Sequence, residues 1–118
     1  MSGKQLFERA MLLLGYVDTN GDVLVDTGLQ KRAVAIVNQV AADLTLAQDP
    51  TAALTPISRL EDAVAVTGRA AVDAMPYGVA MLLAGAQGDA DGQATFALIY
   101  NRKRAVCGGG MMRQNVLP

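Results

Sequence analysis

The segment from residue 29 to residue 46 constrains the fold of this chain most. Its apolar residues recur every three or four positions, a spacing that places side chains on one face of an α-helix. These residues are Leu29, Ala33, Ile36, Val37, Val40, Ala41 and Leu44. Mostly polar residues occupy the positions between them. The pattern predicts a long amphipathic helix, for which Thr27 is a candidate N-cap.

Three other segments have helical features. The first covers about residues 4–14 and ends at Gly15, a residue type common after helix ends. Its predicted apolar stripe contains Leu6, Ala10, Leu13 and Leu14, with Phe7 and Met11 beside it. The third helix along the chain is expected within residues 69–87. The fourth is expected to run from a cap at Asp89 or Asp91 to about Val106.

Pro76 lies inside the third predicted helix, and two interpretations stay open. Proline either kinks a helix or occupies its first turn, and in the second case Asp73 is the candidate cap. Small residues recur every seven positions in this segment, at Ala71, Gly78 and Gly85. Such a groove lets another helix approach closely, and packing within the subunit is favoured over a dimer face.

The segments between the helices carry turn-forming residues. Residues 16–28 are interpreted as a loop in which Val23, Leu24 and Val25 form a short extended or docked piece. Residues 47–58 contain two prolines and are predicted to be irregular, and residues 60–66 could form a short helical turn. Gly108, Gly109 and Gly110 are expected to end the last helix as a hinge before a flexible tail.

The sequence therefore predicts an all-α fold, a small bundle of about four helices with one long irregular loop and a flexible C-terminal tail. Residues 1–107 form the helical domain, and residues 108–118 form the tail. No apolar run approaches the roughly 20 residues that span a bilayer, so no membrane span is expected.

The residue inventory argues against an enzyme. The chain has no histidine, the commonest metal ligand and general base. Cys107 is the only cysteine, which excludes an internal disulfide and paired-thiolate metal sites. Arg104 lies three residues before Cys107, but no base other than distant carboxylates is available to activate the thiol, so a structural or incidental residue is favoured. We expect no catalytic site, no metal and no cofactor.

Two acidic motifs have simpler structural explanations than a chemical site. Asp18, Asn20 and Asp22 are spaced like the first ligands of a calcium loop, but Val23 occupies the required glycine position and Leu29 that of the bidentate glutamate. An Asx-rich turn is the favoured interpretation. The adjacent carboxylates Glu61 and Asp62 are interpreted as the acidic preference of a helix N-terminus.

Charge is distributed unevenly along the sequence. Residues 1–98 contain six Lys and Arg against eleven Asp and Glu, whereas residues 99–118 contain four Lys and Arg and no acid. Arg102, Lys103 and Arg104 are a candidate contact for DNA or a protein partner. A solvated helix end whose cations match the helix dipole is the favoured explanation.

The second half of the chain resembles a family of phage proteins. Residues 60–105 read LEDAVAVTGRAAVDAMPYGVAMLLAGAQGDADGQATFALIYNRKRA. They contain a PYGVA step, a Leu82-Leu83-Ala84 core, a Gly88-Asp89 turn and a last helix of the form FxxxYNxKRA. With the opening LFERAMLLLGY segment, this order is similar to that of the head-tail connector, or adaptor, proteins of long-tailed bacteriophages and prophages.

This resemblance implies a structural virion protein. It implies a ring of subunits beneath the portal that extends the DNA channel and presents a surface to the next head-completion, or stopper, protein. The expected partners are the portal protein, the stopper, copies of the chain itself and passing DNA. The expected location is the head-tail interface of the virion, and the host bacterial cytoplasm during assembly. Candidate portal contacts in the tail are Met111, Met112, Val116 and Leu117.

Two alternatives stay open at the sequence level. A small DNA-binding or regulatory protein would use the basic final helix, and its retention on duplex DNA would depend strongly on salt. An accessory subunit of an enzyme would co-purify with a catalytic partner.

Overall fold

A computed structural model describes residues 1–22 and 27–107, with Thr27 described in its backbone only. These residues form four α-helices: α1 (Gly3–Leu14), α2 (Thr27–Gln48), α3 (Met75–Ala86) and α4 (Ala90–Cys107). A π-helical turn, Ala70–Ala74, leads directly into α3. The fold is all-α and mostly helical, as the sequence predicts. The piece predicted at Val23, Leu24 and Val25 lies outside the described residues.

Helix α1 begins with a capping box. The Gln5 backbone N–H donates to Ser2 Oγ at 3.1 Å, and the Ser2 N–H donates to Gln5 Oε1 at 3.0 Å. Gly15 ends the helix with a positive φ of 76°. The buried apolar residues of α1 are Leu6, Phe7, Ala10 and Met11.

Leu13 does not belong to the buried stripe that the sequence predicts. Its side chain is 39% exposed, whereas Leu14 is half-buried. Successive residues of an α-helix are rotated by about 100°, and the buried face of α1 is centred between Ala10 and Met11. Leu14 lies on this face, whereas Leu13 lies about a quarter turn away from its centre. The prediction was wrong because period alone does not locate the centre of the arc.

Helix α2 buries the face that its apolar spacing predicts. Every apolar position predicted for this face is buried except Ala41, which is half-buried. The helix is longer than predicted by two residues at each end. The capping role predicted for Thr27 concerns a side chain outside the described part of the structure.

The connection between α2 and the π turn is anchored by polar contacts with two helices. Asn38 of α2 donates from Nδ2 to the Ile57 carbonyl at 2.9 Å, and the Ile57 N–H donates to Asn38 Oδ1 at 2.8 Å. The N–H groups of Gly3 and Lys4 donate to the carbonyls of Asp62 and Leu60. These bonds hold the connection against α2 and the start of α1.

The possible helical turn at residues 60–66 is absent. The segment forms non-helical turns followed by an isolated antiparallel bridge between Ser2 and Ala63. Val64 and Val66 are buried there, together with Ile57. β-branched side chains favour extended over helical backbone, which is consistent with this path.

Pro76 is the second residue of α3, and only Met75 separates it from the π turn. The Met75 N–H donates to the Ala70 carbonyl, five residues back, so the wide turn precedes the residue that lacks an N–H. Asp73, the candidate cap for the case in which Pro76 occupies the first turn, does not cap the helix. No side chain caps the start of α3, and Asp73 instead accepts a hydrogen bond from Lys103.

Helix α3 lies at the centre of the bundle and contacts α1, α2 and α4. Gly78 lets α3 approach both α2 and α4 closely, because it has no side chain at this crossing. A Cβ atom at position 78 would lie 2.7 Å from Tyr100 Cε1 of α4 and 2.7 Å from Val40 Cγ1 of α2. A Cβ at Gly85 would lie 2.7 Å from Gln93 Nε2. The small residues therefore serve packing within the subunit, as the sequence favours.

Candidate partner-binding surfaces

Helices α2 and α4 are joined by a polar cluster around Asp43. Asp43 Oδ2 accepts hydrogen bonds from the Tyr100 hydroxyl at 2.6 Å and from Arg104 Nε at 2.8 Å. Burial, followed by the hydrogen bond to Asp43, raises the pKa of Tyr100 well above its ordinary value of 10.0. The phenol therefore remains a neutral donor at physiological pH. The cluster fixes the position of α4 on the bundle.

A second cluster joins α4 to the π turn and to α3. Lys103 Nζ donates to Asp73 Oδ1 at 2.7 Å and lies 4.9 Å from the centroid of the Tyr77 ring. The hydrogen bond to Asp73 raises the pKa of Lys103. The Tyr77 and Phe96 rings are tilted at 38° with centroids 6.1 Å apart. Lys103 is thus held between an anion and a ring.

These two clusters determine which cations of the basic run, residues 102–104 of α4, remain free to contact a partner. Lys103 and Arg104 each contact a carboxylate of the bundle, whereas Arg102 is exposed. The three cations do not converge on one surface, because Lys103 and Arg104 pair with different helical elements. Two of the three candidate contacts for DNA or a partner are engaged within the subunit.

Cys107 is half-buried at the end of α4. Burial, with a contribution from Asp73, raises the pKa of its thiol above the ordinary value of 9.0. The positive charges of Arg69 and Lys103 act in the opposite direction. A raised pKa disfavours the reactive thiolate.

The acidic motif after α1 is an Asx turn, as the sequence favours. Asp18 Oδ1 accepts hydrogen bonds from the N–H groups of Asn20 at 2.8 Å and Asp22 at 3.0 Å. Among residues 1–22 and 27–107, no group of three or more potential metal ligands is found.

Asp62 does not serve a helix N-terminus as predicted, because no helix starts there. Its Oδ2 accepts from the N–H groups of Ser58 and Arg59, at 3.0 Å each. These bonds, that of Arg59 foremost, lower the pKa of the carboxyl. Asp62 therefore closes the turn that meets the first turn of α1.

The surface of the described residues has grooves, and two of them are lined in part by exposed apolar side chains. The α2 groove has a volume of about 500 Å³ and lies between α2 and the connection that follows it. Its lining includes Ala41, Thr45, Leu54, Pro56 and Val66. Leu54, at its edge, is 48% exposed.

The α1 groove has a volume of about 380 Å³ and lies between α1, the π turn and α3. It is lined by Arg9, Leu12, Leu13, Val72, Asp73, Pro76 and Tyr77. Leu12 and Val72 are 55% and 54% exposed. This surface was not predicted from the sequence, because Leu13 was placed on the same apolar stripe as Leu6 and Ala10. The sequence does contain one indication of this surface: α1 has more apolar residues than one buried helix face can hold.

The described part of the structure contains no helix that is both long enough and apolar enough to span a membrane. The remaining predicted site residues lie outside the described residues. These are the hinge glycines Gly108, Gly109 and Gly110 and the tail residues Met111, Met112, Val116 and Leu117.

Comparison of the chain with protein-family models, with curated proteins and with solved structures finds no match.

Proposed function

We propose that this protein is a head-tail connector of a long-tailed phage or prophage, a structural subunit of the ring beneath the portal. The observation that carries the proposal is the resemblance of residues 60–105 to that family. The motif residues hold the positions that shape the α3–α4 hairpin, which is the centre of the fold.

Each motif of the resemblance has a structural task in this hairpin. Pro76 lies in the first turn of α3. Leu83 and Ala84 are fully buried. Gly88 turns the chain with a φ of 74°, and Asp89 Oδ1 accepts from the Gly92 N–H at 2.9 Å in the first turn of α4.

The two grooves also support a ring subunit. A closed ring of identical chains uses head-to-tail contacts, in which two different surfaces of each subunit meet. The α1 and α2 grooves share no lining residue. Leu12 and Leu13 are exposed in the α1 groove, and Leu54 is exposed in the α2 groove. Exposed apolar surface of this kind is typical of protein contacts.

The charge of the chain is compatible with a channel wall. Residues 1–98 carry a net charge of −5, from six basic and eleven acidic residues. A negative wall repels the phosphate backbone and lets DNA slide instead of gripping it. In this proposal the stopper protein and the portal contact opposite ends of the ring.

Electron microscopy of portals tests the proposal. Portals of the phage or prophage that encodes the chain are imaged with and without the purified protein. An added ring of density at the tail-facing end is the expected result. Portals that remain bare at saturating protein concentrations would show that the chain is not a connector.

The tail is assigned a role in portal attachment on its sequence alone. Removing residues 108–118 is expected to preserve helical circular dichroism and to abolish ring formation on portals, since Met111, Met112, Val116 and Leu117 supply an apolar anchor. Undiminished attachment of the shortened chain would remove this part of the proposal.

The DNA-binding alternative gains no support from the contacts of α4. Lys103 and Arg104 are engaged with Asp73 and Asp43, and a basic run that is already paired releases few counterions on binding. Strong, salt-dependent retention of the protein on duplex DNA would nevertheless favour that alternative over a connector.

A further inference from the structure

We propose that the α1 groove holds one face of helix α4 from a second copy of the chain, in a contact that repeats from copy to copy. The proposal takes from the proposed function only that copies of the chain contact one another, and it names the surfaces that meet. The face, here called the α4 outer face, lies on the side of α4 away from Tyr100. It consists of the exposed residues Asp91, Ala94, Leu98, Arg102, Ala105 and Val106.

The α4 outer face is more apolar than a solvent-facing helix surface needs to be. Leu98 is 58% exposed and Val106 is 60% exposed. They lie eight residues apart, about 12 Å along the helix axis, and Ala94 and Ala105 are on the same face. A surface helix normally places polar residues opposite its buried side. This apolar stripe therefore indicates that α4 packs against a partner on its outer side.

The α1 groove has a shape that a helix fills. It is a depression of about 380 Å³ between α1, the π turn and α3. Its exposed apolar side chains are those of Leu12, Leu13 and Val72. Helices dock in apolar grooves through side chains spaced by three, four or seven residues, and Ala94, Leu98 and Ala105 have spacings of four and seven. The α2 groove is also concave, so the two grooves cannot fill each other.

Charge complementarity matches the α4 outer face to this groove. The groove carries one cation, Arg9, and one anion, Asp73. The α4 outer face likewise carries one anion, Asp91, and one cation, Arg102. Arg9, Asp91 and Arg102 form no salt bridge within residues 1–22 and 27–107, and Asp73 is 43% exposed although it contacts Lys103. Docking thus pairs Arg9 with Asp91 and Asp73 with Arg102.

The α2 groove does not offer this match. None of its lining residues is charged, so Asp91 and Arg102 would lose water there without gaining a counter-charge. Two α1 grooves facing each other would match in charge, but two concave surfaces leave a cavity between them. The α4 outer face is the surface that fits the α1 groove in both shape and charge.

The two surfaces share no residue, so one copy can use both at once. A contact between two different surfaces is heterologous, and it repeats until the rotation between copies closes a ring. The contact therefore supplies the kind of repeat that a ring subunit needs.

Disulfide trapping between copies tests the contact. Two full-length proteins are made in which Cys107→Ser removes the native thiol, one with Leu12→Cys and the other with Leu98→Cys. One of them is isotope-labelled, so that mass spectrometry distinguishes mixed disulfide dimers from dimers of like copies. The matched control replaces the first protein by one with Leu54→Cys, a position that is 48% exposed at the α2 groove.

Docking predicts that the mixed dimer of Leu12→Cys and Leu98→Cys forms about tenfold faster than that of Leu54→Cys and Leu98→Cys, because the contact raises the effective concentration of the two thiols. Equal rates would overturn the proposal. Faster trapping between two Leu12→Cys copies would show that the grooves face each other, and faster trapping between two Leu98→Cys copies would show that α4 packs on itself. Either result would also overturn it.

Charge exchange tests the pairing of Arg9 with Asp91. Arg9→Asp in the Leu12→Cys protein, or Asp91→Arg in the Leu98→Cys protein, is expected to slow mixed trapping by about threefold, because each places like charges together. The two changes combined are expected to restore the rate, since the pair is formed again with reversed signs. Arg32→Asp, at an exposed position that lines neither groove, is the control for net charge and should leave the rate unchanged. A combined variant no faster than either single one would contradict the pairing.

These results are separable from those of the portal experiment. A ring of density on portals without preferential trapping of Leu12→Cys by Leu98→Cys would overturn this contact and leave the proposed function standing. Preferential trapping together with bare portals would overturn the proposed function and leave the contact between copies standing.

Discussion

At the residue scale, Gly78 shows most clearly how one side chain position governs the packing of this fold. It lies in α3 where Tyr100 and Val40 converge from two other helices. Both neighbours are buried, and the valine is stiff at χ1, so neither yields easily to an added methyl group. Gly85 faces the Gln93 side chain, which is exposed and flexible.

Gly78→Ala is therefore expected to destabilise the protein by about 1–3 kcal/mol, because overpacking outweighs the gain in helix propensity. Gly85→Ala is the matched control and is expected to be neutral or slightly stabilising, since Gln93 can move away. Urea unfolding measures both. Equal effects of the two substitutions would show that the contact at Gly78 is not restrictive.

At the element scale, polar contacts fix the positions of helix α4 and of the connection before the π turn, because apolar burial alone does not. Helix α4 buries only Tyr100 fully among its described side chains, so its place depends on the hydrogen bonds to Asp43 and Asp73. The connection before the π turn likewise depends on Asp62, whose carboxylate closes the turn at Ser58 and Arg59.

Tyr100→Phe is expected to cost about 1 kcal/mol, the usual value of one hydrogen bond, because it removes the donor to Asp43 and keeps the ring. Tyr77→Phe is the control, since the Tyr77 hydroxyl donates to no carboxylate within the described residues. Thermal denaturation followed by circular dichroism compares the two. A larger loss for Tyr77→Phe would contradict the assignment.

Asp62→Ala is expected to weaken the protein more at neutral than at acidic pH. The folded pKa of Asp62 is depressed, so its stabilisation is present above the ordinary pKa of 3.8 and is lost as the pH falls through the folded value. The difference in unfolding free energy between unchanged protein and variant should shrink below about pH 4. A difference that stays the same from neutral pH down to about pH 3 would contradict this role of the Asp62 carboxylate.

At the scale of the whole molecule, one continuous apolar core joins every helix. Met11 of α1, Val37 of α2 and Leu83 of α3 are fully buried within it, and Tyr100 closes it from α4. The connection adds Ile57, Val64 and Val66. Because these elements bury their apolar faces against each other, none is expected to remain folded when another is lost.

Met11→Ala is expected to lower the free energy of unfolding by about 2–5 kcal/mol, through the cavity it leaves in this core. Helical circular dichroism and tyrosine fluorescence should follow a single coincident transition in the variant and in the unchanged protein. Leu98→Ala, at an exposed position, should change stability by less than about 0.5 kcal/mol. Separate transitions for the two signals would indicate independent units.

The sequence by itself determined the number and type of the helices and the buried face of α2. A long amphipathic helix can remove its apolar side chains from water only by packing that one face against the core. It also determined the Asx turn at Asp18, since that turn is closed by neighbouring residues. Glycine spacing likewise indicated that α3 would be closely packed.

Only the tertiary structure decided which residues meet across the bundle. The pairing of Lys103 with Asp73 spans 30 positions, and that of Arg104 with Asp43 spans 61. Local patterns carry no information on such partners, so Asp73 was predicted as a cap. The exposure of Leu13 and the α1 groove were hidden for the same reason: burial depends on where other helices lie, and helical period alone does not fix that.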